Sequence, residues 1–475
     1  MHWTVAEVAG ALGVAAPAGV DAVAGLAGVS IDSRTIRAGE LFVAIHGPRH
    51  DGHTFVGPAL EAGAVAAVVG HDREAQFTEA QRRKLIVVEQ PLAALQELAR
   101  AVRRQWGRRM AAVTGSTGKT TTKEILAQVL GARFRVLKSE GNLNNEYGLP
   151  LSLLRLEAEH EAAVLELGMS RRGELARLAE MAEPEVGVVT NVAPVHLEFF
   201  ASVDEIALAK RELIEGLAGK ESVAVLNADD PRVARFADAA PGRVLTFGIE
   251  ARADFRAERI EVRAAESAAF DCVTPGWRAR LELPLAGVHN VRNALAAVAA
   301  ASVWGLTAED VRRGLSAVRP AAMRGEVLRF EPGITVLNDC YNSNPLALAA
   351  TVELLAATKD CARRVLVAGE MLELGPASAE MHQEAGRYAA GKAEWIFGVQ
   401  GNAAELVRGA VAAGHPTGRA QFFESSEQAA EFVAGFVEQG DLVLVKGSRG
   451  VKMERIVEAL RARHPHVGDA AERRG

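Results

Sequence analysis

The chain is short of cysteine, has no excess of positive charge and lacks long apolar runs, and each shortage excludes something. Three cysteines in 475 residues, Cys272, Cys340 and Cys361, are too few and too widely spaced for a disulfide framework or a zinc site, so a reducing compartment is expected. A formal net charge of -6 leaves no basic face on which nucleic acid would be held, and nucleic acid is not expected as a partner. No uncharged apolar stretch approaches the roughly 20 residues of a membrane helix, so no membrane insertion is expected. The first residues, MHWTVAEVAGALG, lack a basic segment and a signal cleavage site. Thr4 instead stands three residues before Glu7, the spacing of a helix capping box. These absences predict a soluble, cytoplasmic protein, and the length predicts about three domains, as in a multidomain enzyme.

Runs rich in Val, Leu and Ile alternate with longer Ala/Glu/Arg segments of helical period, the βαβ rhythm of parallel sheets. The fold class expected is therefore α/β. Buried strands are expected at Val65 to Gly70 and at MAAVTG, AAVLELG, EVGVVTN, SVAVLN, ITVLND, RVLVAGE and DLVLVKG. Most end in Gly, Asn, Asp or Glu, at the sheet edge where such folds collect ligands. The basic stretch Arg100 to Arg109 around Trp106 and the segment near Pro320, before a strand pair around Gly333, read as junctions, giving domains 1–106, 107–319 and 320–475. The tail HPHVGDAAERRG has no periodicity and is expected to be mobile. No internal repeat is present.

One stretch carries chemistry openly. VTGSTGKTTTKEI, from Val113 to Ile125, follows the strand MAAVTG and opens a helix whose Ile125, Leu126, Val129 and Leu130 form one apolar stripe. This is the strand, loop and helix context of a phosphate loop, with Val113 where the usual signature has its first glycine. Gly115, Ser116, Thr117 and Gly118 let backbone amides converge on phosphate, Lys119 supplies a point charge, and Thr120, followed by Thr121, offers a hydroxyl to magnesium. A plain helix cap is the bland alternative. ATP is the expected ligand.

The shortened loop resembles that of the Mur ligases, the ATP-dependent amide-bond-forming enzymes of peptidoglycan precursor synthesis. So do GNLNNEYGLPLSL after Glu140, TNVAPVHLEFFASVDEIALAKRELIEGL from Thr190, GVHNVRNALAA from Gly287, NDCYNSNP from Asn338 and VKGSRGVKMERIV from Val445. They stand in the family's order over nearly the whole chain. The block DSRTIRAGELFVAIHGPRHDGHTFVGPALEAGA, with NNEYG and NDCYNSNP, is most similar to the member that adds D-alanyl-D-alanine to UDP-N-acetylmuramoyl-tripeptide. The resemblance implies three domains: a first for the uridine nucleotide, a central parallel-sheet ATPase domain with the phosphate loop, and a Rossmann-like C-terminal domain for the incoming amine. It also implies that ATP phosphorylates the tripeptide carboxylate and that the amine displaces phosphate from the acyl phosphate. A monomer is expected. The alternatives are another amide ligase of this fold, such as the third-residue-adding member or a folylpolyglutamate synthase, and outside it a phosphate-loop kinase or ATPase.

The remaining candidates combine residue chemistry with that resemblance. Glu166 ends a buried strand, where an unpaired carboxylate is costly, and points to the edge that holds Thr120, so it is expected to bind magnesium; the alternative is a carboxylate bonded to backbone amides. His196, by itself an ordinary loop histidine, is implied as a ligand of a second magnesium ion. Lys210, by itself a solvated helical charge on a helix opened by Ser202 and Glu205 as a capping box, is implied to be carbamylated and to ligate the same ion. Asn290 and Asn293 read as helix caps or, by resemblance, as adenine contacts. Arg324 and Asp339 are implied to contact the nucleotide. NSNP after Tyr341 is compatible with an Asn-Pro turn. Ser33, Arg34, Asn144 and Asn145 are candidates for the uridine nucleotide and its peptide, or turn-forming polar residues. Three departures from the family stand out: Val195 in place of alanine before His196, FFAS after Glu198, and Glu370 within Gly369-Glu370-Met371 where aspartate is usual.

Overall fold

The computed structural model describes residues 3–47, 50–263 and 265–467; the last part of the tail expected to be mobile, 468–475, lies outside them. Among the described residues three sheets follow one another along the chain, and the eight apolar runs read as strands all lie on strands. The first sheet is parallel, in the order Gly28–Ser30, Glu40–Val43, Ala66–Gly70 and Leu85–Val88. Ahead of it, Thr4 and Glu7 form the expected capping box on the helix Val5–Ala11.

The central sheet has nine strands. Its parallel middle runs Arg243–Gly248, Val223–Asn227, Val186–Val189, Arg109–Thr114, Ala162–Glu166 and Val136–Lys138. Both faces are covered, which is why these strands read as unbroken apolar runs. Ala111, Val113, Val164 and Val188 pack on one face with the helices Lys119–Gly131 and Val288–Ser302. Met110, Ala112, Ala163 and Leu165 pack on the other with Glu174–Ala182 and Val203–Glu215. Beyond Arg243–Gly248 the sheet continues through Phe255–Arg263 and then two antiparallel strands, Ser267–Val273 and Arg278–Leu283. The strand order reverses at Arg109–Thr114, which has later strands on both sides, and ligands bind at such a switch point.

The third sheet opens with an antiparallel hairpin, Glu326–Phe330 and Ile334–Asp339, and continues in parallel through Asp441–Lys446, Arg363–Gly369, Trp395–Val399 and Ala420–Phe423. One capping expectation is corrected. Ser202 Oγ accepts from Glu205 N at 3.2 Å, but the Glu205 carboxylate accepts from Ala201 N at 2.9 Å and not from the Ser202 amide, so only half of a capping box forms. Among the described residues no helix is long and apolar enough to cross a membrane.

Candidate active site

The phosphate loop is held by burial and by its neighbours rather than by a cap. The helix Lys119–Gly131 starts at Gly118, which has no side chain to bond the first-turn amides, so these stay free for an anion. Ile125, Leu126, Val129 and Leu130 are fully buried, and at about 1.5–3 kcal/mol each they anchor the helix without the cap. Gly118 has φ 78°, and a Cβ there would collide with the Asn293 carboxamide; a Cβ at Gly115 would collide with Thr190 Oγ1. Only glycine fits either place.

A splint from the neighbouring strand end fixes the loop from behind. Thr190 Oγ1 donates to Thr117 O at 2.6 Å, and Asn191 accepts from Thr117 N at 2.9 Å while donating to its Oγ1 at 2.8 Å. Ser116 Oγ donates to Ala193 O at 3.1 Å. Neither Thr190 nor Asn191 is singled out by the sequence reading; the signal available was a polar pair at the carboxyl end of VGVVTN.

Ser116, Thr117, Gly118, Lys119 and Thr121 line a cavity of about 430 Å³ between the central and third sheets. Glu166, His196, Lys210, Asn144, Asn145, Asn290, Asn293, Arg324 and Asp339 share its wall. Gly115 and Thr120 stand behind it: Thr120 Oγ1 donates to Glu166 Oε2 at 2.6 Å. Asn144 Nδ2 donates to Glu166 Oε1 at 2.9 Å. Glu166 is thus a buried carboxylate with two neutral donors and no ion-pair partner among the described residues, which fits a divalent cation placed against it. Both donors to the carboxylate are side chains, so the alternative of a carboxylate bonded to backbone amides is not what occurs.

Two lysines face this space. Lys119 Nζ donates to Gly115 O at 2.8 Å; burial pulls its pKa below the usual lysine range, partly offset by Glu166 and reinforced by Arg324. Lys210 is 2% exposed, and no hydrogen bond or ion pair engages its Nζ among the described residues. Burial first, and then the Lys119 charge, hold its pKa well below the usual range, so the solvated-charge alternative does not hold. Among the described residues no group of three or more His, Cys, Asp and Glu side chains is assembled to hold a metal.

The third sheet closes the far wall. Arg324 lies 4.0 Å over the Tyr341 ring, and Asp339 pairs with Lys446 at 2.5 Å. His289 is pushed down to about 4 by burial, against the pull of nearby Asp339, and is neutral at physiological pH. His196, at φ 56°, reaches across to Glu373 with Nδ1 2.5 Å from Oε2. Asn290 and Asn293 are not caps, since the cap is Gly287; Asn290 donates to Ala286 O at 2.8 Å and accepts from Asn293 at 3.2 Å. Asn145 does form a turn, accepting from Gly148 N at 2.9 Å, and Asn344 caps the helix Pro345–Ala357.

Ser33 and Arg34 are not brought to the cavity, and Arg34 instead forks onto its own neighbour Asp32 at 2.9 and 2.6 Å. Glu370 is not in the wall of this cavity and accepts from Asn402 N at 2.9 Å. The departures around His196 find packing roles: Val195 and Phe200 are buried in the central core, and Arg171 covers the exposed Phe199 at 5.7 Å.

Comparison with known proteins agrees with this geometry. Residues 113–301 match the Mur ligase middle domain, 323–449 the Mur ligase glutamate ligase domain and 26–103 the Mur ligase family catalytic domain. A Bacillus subtilis UDP-N-acetylmuramoyl-tripeptide--D-alanyl-D-alanine ligase is 36% identical over 434 residues, 91% of this chain and 93% of that one. The chain belongs to the Mur ligase family. Among solved structures, this Mur ligase superposes on MurF from Acinetobacter baumannii with a TM-score of 0.87 at 30% identity, covering 97% of this chain and 99% of that one. MurF ligase from Thermotoga maritima, solved in complex with ADP, gives 0.80 at 30% identity over 92% of this chain and 97% of that one. The three-domain Mur ligase fold is therefore the fold of this chain.

Proposed function

We propose that this Mur ligase joins D-alanyl-D-alanine to the tripeptide of UDP-N-acetylmuramoyl-tripeptide, converting ATP to ADP and phosphate and yielding UDP-N-acetylmuramoyl-pentapeptide. The observation that carries this is the 36% identity over 91% of the chain to an enzyme of that name. The cavity at the sheet switch point, walled by a phosphate loop and closed by a second α/β unit, suits it chemically. We assign residues 1–106 to the uridine nucleotide, 107–319 to ATP and 320–475 to the incoming amine and to closure.

A carboxylate is a poor acyl donor in water, so it is first phosphorylated. The tripeptide carboxylate oxygen attacks the γ-phosphorus, the bond to the β-phosphate oxygen breaks, and ADP departs with the electron pair. The free amine then attacks the acyl carbon, the C–N bond forms, the C–O bond to phosphate breaks, and the amine nitrogen gives up a proton. The amides at the helix start, residues 118–121, and the Lys119 ammonium cradle the phosphates, while Ser116 and Thr117 give their amides to Asn191. Asn290 and Asn293 take the adenine side, and Arg324 and Asp339 reach the nucleotide from the third unit. Ser33, Arg34, Asn144 and Asn145 serve the uridine nucleotide and its peptide; Ser33 and Arg34 stand at the first sheet's carboxyl edge. Thr120 and Glu166 would hold one magnesium ion and His196 with a carbamylated Lys210 a second, and these ions would supply positive charge to the transferring phosphoryl group. Carbamylation is supported by the chemistry of Lys210, a buried amine without a partner whose environment favours the neutral nucleophile. The enzyme works as a cytoplasmic monomer.

The testing experiment is phosphate release measured with a panel of UDP-muramoyl peptides and amines. Phosphate is expected only when the tripeptide form and D-alanyl-D-alanine are both present. Release without an amine would instead mark an ATPase, and preference for a shorter peptide with a free amino acid would mark another amide ligase of this fold.

A further inference from the structure

His196 and Glu373 meet across the boundary between the central and third units, in the wall of a second cavity of about 210 Å³ that shares Ser116, Lys119 and His196 with the first. Nδ1 and Oε2 stand 2.5 Å apart. A carboxylate can only accept, so the proton of this hydrogen bond sits on Nδ1, and the neutral ring then keeps its lone pair on Nε2. A residue of another unit thus sets the tautomer of His196.

Both partners are held in costly backbone. His196 has φ 56° and Glu373 φ 64°, left-handed values that residues with a Cβ disfavour. With side chains 25% and 48% exposed, the two groups make a bond too well solvated to repay that strain as a stabilising contact. The strain points instead to a positional role.

Each end is pinned to its own unit. The amides of the three residues before Glu373 are all engaged: Glu370 N donates to Val399 O at 3.0 Å, Met371 N to the buried His382 Nε2 at 2.9 Å, and Leu372 N to Ser448 Oγ at 2.9 Å. On the central side Ala193 N donates to Ser116 Oγ at 2.8 Å, tying the loop of His196 to the phosphate loop. The two loops also meet through backbone. Glu198 N donates to Glu373 O at 3.4 Å, and a Cβ at Gly375 would come 2.9 Å from Leu197 O. A carboxylate held in this way reaches His196 only together with the third unit.

We propose, resting on the two-ion reading above, that Glu373 is a positioning residue for the second magnesium site: it fixes His196 as an Nε2 ligand, so that the site is complete only while the third unit is docked. Metal-ligating histidines generally give their other N–H to such an acceptor, which orients the ring and raises its basicity. Here the acceptor belongs to the unit that closes the cavity. Docking of that unit and completion of the ion site become one event.

The test counts manganese, standing in for magnesium, by electron paramagnetic resonance on the full-length protein with a non-hydrolysable ATP analogue and UDP-muramoyl tripeptide. Wild type is expected to bind two ions, and Glu373→Ala to bind the second about 10- to 100-fold more weakly with the first unchanged. Glu373→Gln keeps an oxygen acceptor and should keep most of that affinity. In a His196→Ala background, Glu373→Ala should cost nothing further. Nitrogen NMR of the metal-free protein, with the His196 signal assigned by its absence in His196→Ala, should show the Nδ1–H form in wild type and a mixture of tautomers in Glu373→Ala. Wild-type affinity for the second ion in a folded Glu373→Ala protein would overturn the assignment, as would an equal further loss in the His196→Ala background. One ion in wild type, with a His196 tautomer that still depends on Glu373, would sink the two-ion reading and leave Glu373 as the residue that positions His196.

Discussion

Replacing Lys119 by alanine is expected to lower turnover by about 10²- to 10³-fold, the loss typical of removing one preorganised donor from developing negative charge. The fold should survive. Among the described residues the Lys119 Nζ bonds the carbonyls of Gly115 and Ser116, while the helix behind it is anchored by Ile125, Leu126, Val129 and Leu130. The charge matters most as the phosphoryl group moves, so KM for ATP should change less than kcat. Steady-state kinetics beside a thermal melt decide it: near-normal turnover in a folded Lys119→Ala protein would refute the phosphate-loop assignment.

Lys210→Ala is expected to lose at least about 10²-fold in activity, because the phosphoryl transfer then lacks an anionic ligand for its charge compensation. Acetate or propionate should restore part of it by entering the space of the missing side chain and supplying oxygens. Neither acid should rescue Lys119→Ala, since an anion cannot replace a point cation. A readout independent of activity is available in the wild type: labelled bicarbonate should enter a carbamate detectable by carbon NMR, absent in the variant. Intact activity in Lys210→Ala, or a plain amine in the active wild type, would leave Lys210 as a buried helix residue.

Much of the scaffold was legible because parallel strands buried on both faces must be apolar throughout, as Met110 to Val113 and Val223 to Leu226 are. The strand Phe255–Arg263, FRAERIEVR, escaped that test. It covers the core with one face only and alternates charged residues on the other. The phosphate loop was legible because glycine spacing and the following apolar stripe are both local. Thr190 and Asn191 were not, since their role depends on which strand lies beside Arg109–Thr114, a fact of topology. The link from His196 to Glu373 spans 177 residues and two units, and nothing local in either sequence marks it. Lys210 shows the reverse: the helix pattern alone reads as a solvated lysine, and only burial without a partner reveals an unusual amine. Glu370 lies under Gly401 rather than at either cavity, so its departure from the family aspartate leaves the site's wall unchanged.

The central claim is that the amide is made through an acyl phosphate, and the most direct measurement follows an oxygen atom. UDP-muramoyl tripeptide labelled with heavy oxygen in its terminal carboxylate is turned over with ATP and D-alanyl-D-alanine, and the released phosphate is analysed by mass spectrometry. The account predicts one labelled oxygen in each phosphate, because the carboxylate oxygen that attacks phosphorus leaves with it. Phosphate carrying oxygen from the solvent instead would contradict it.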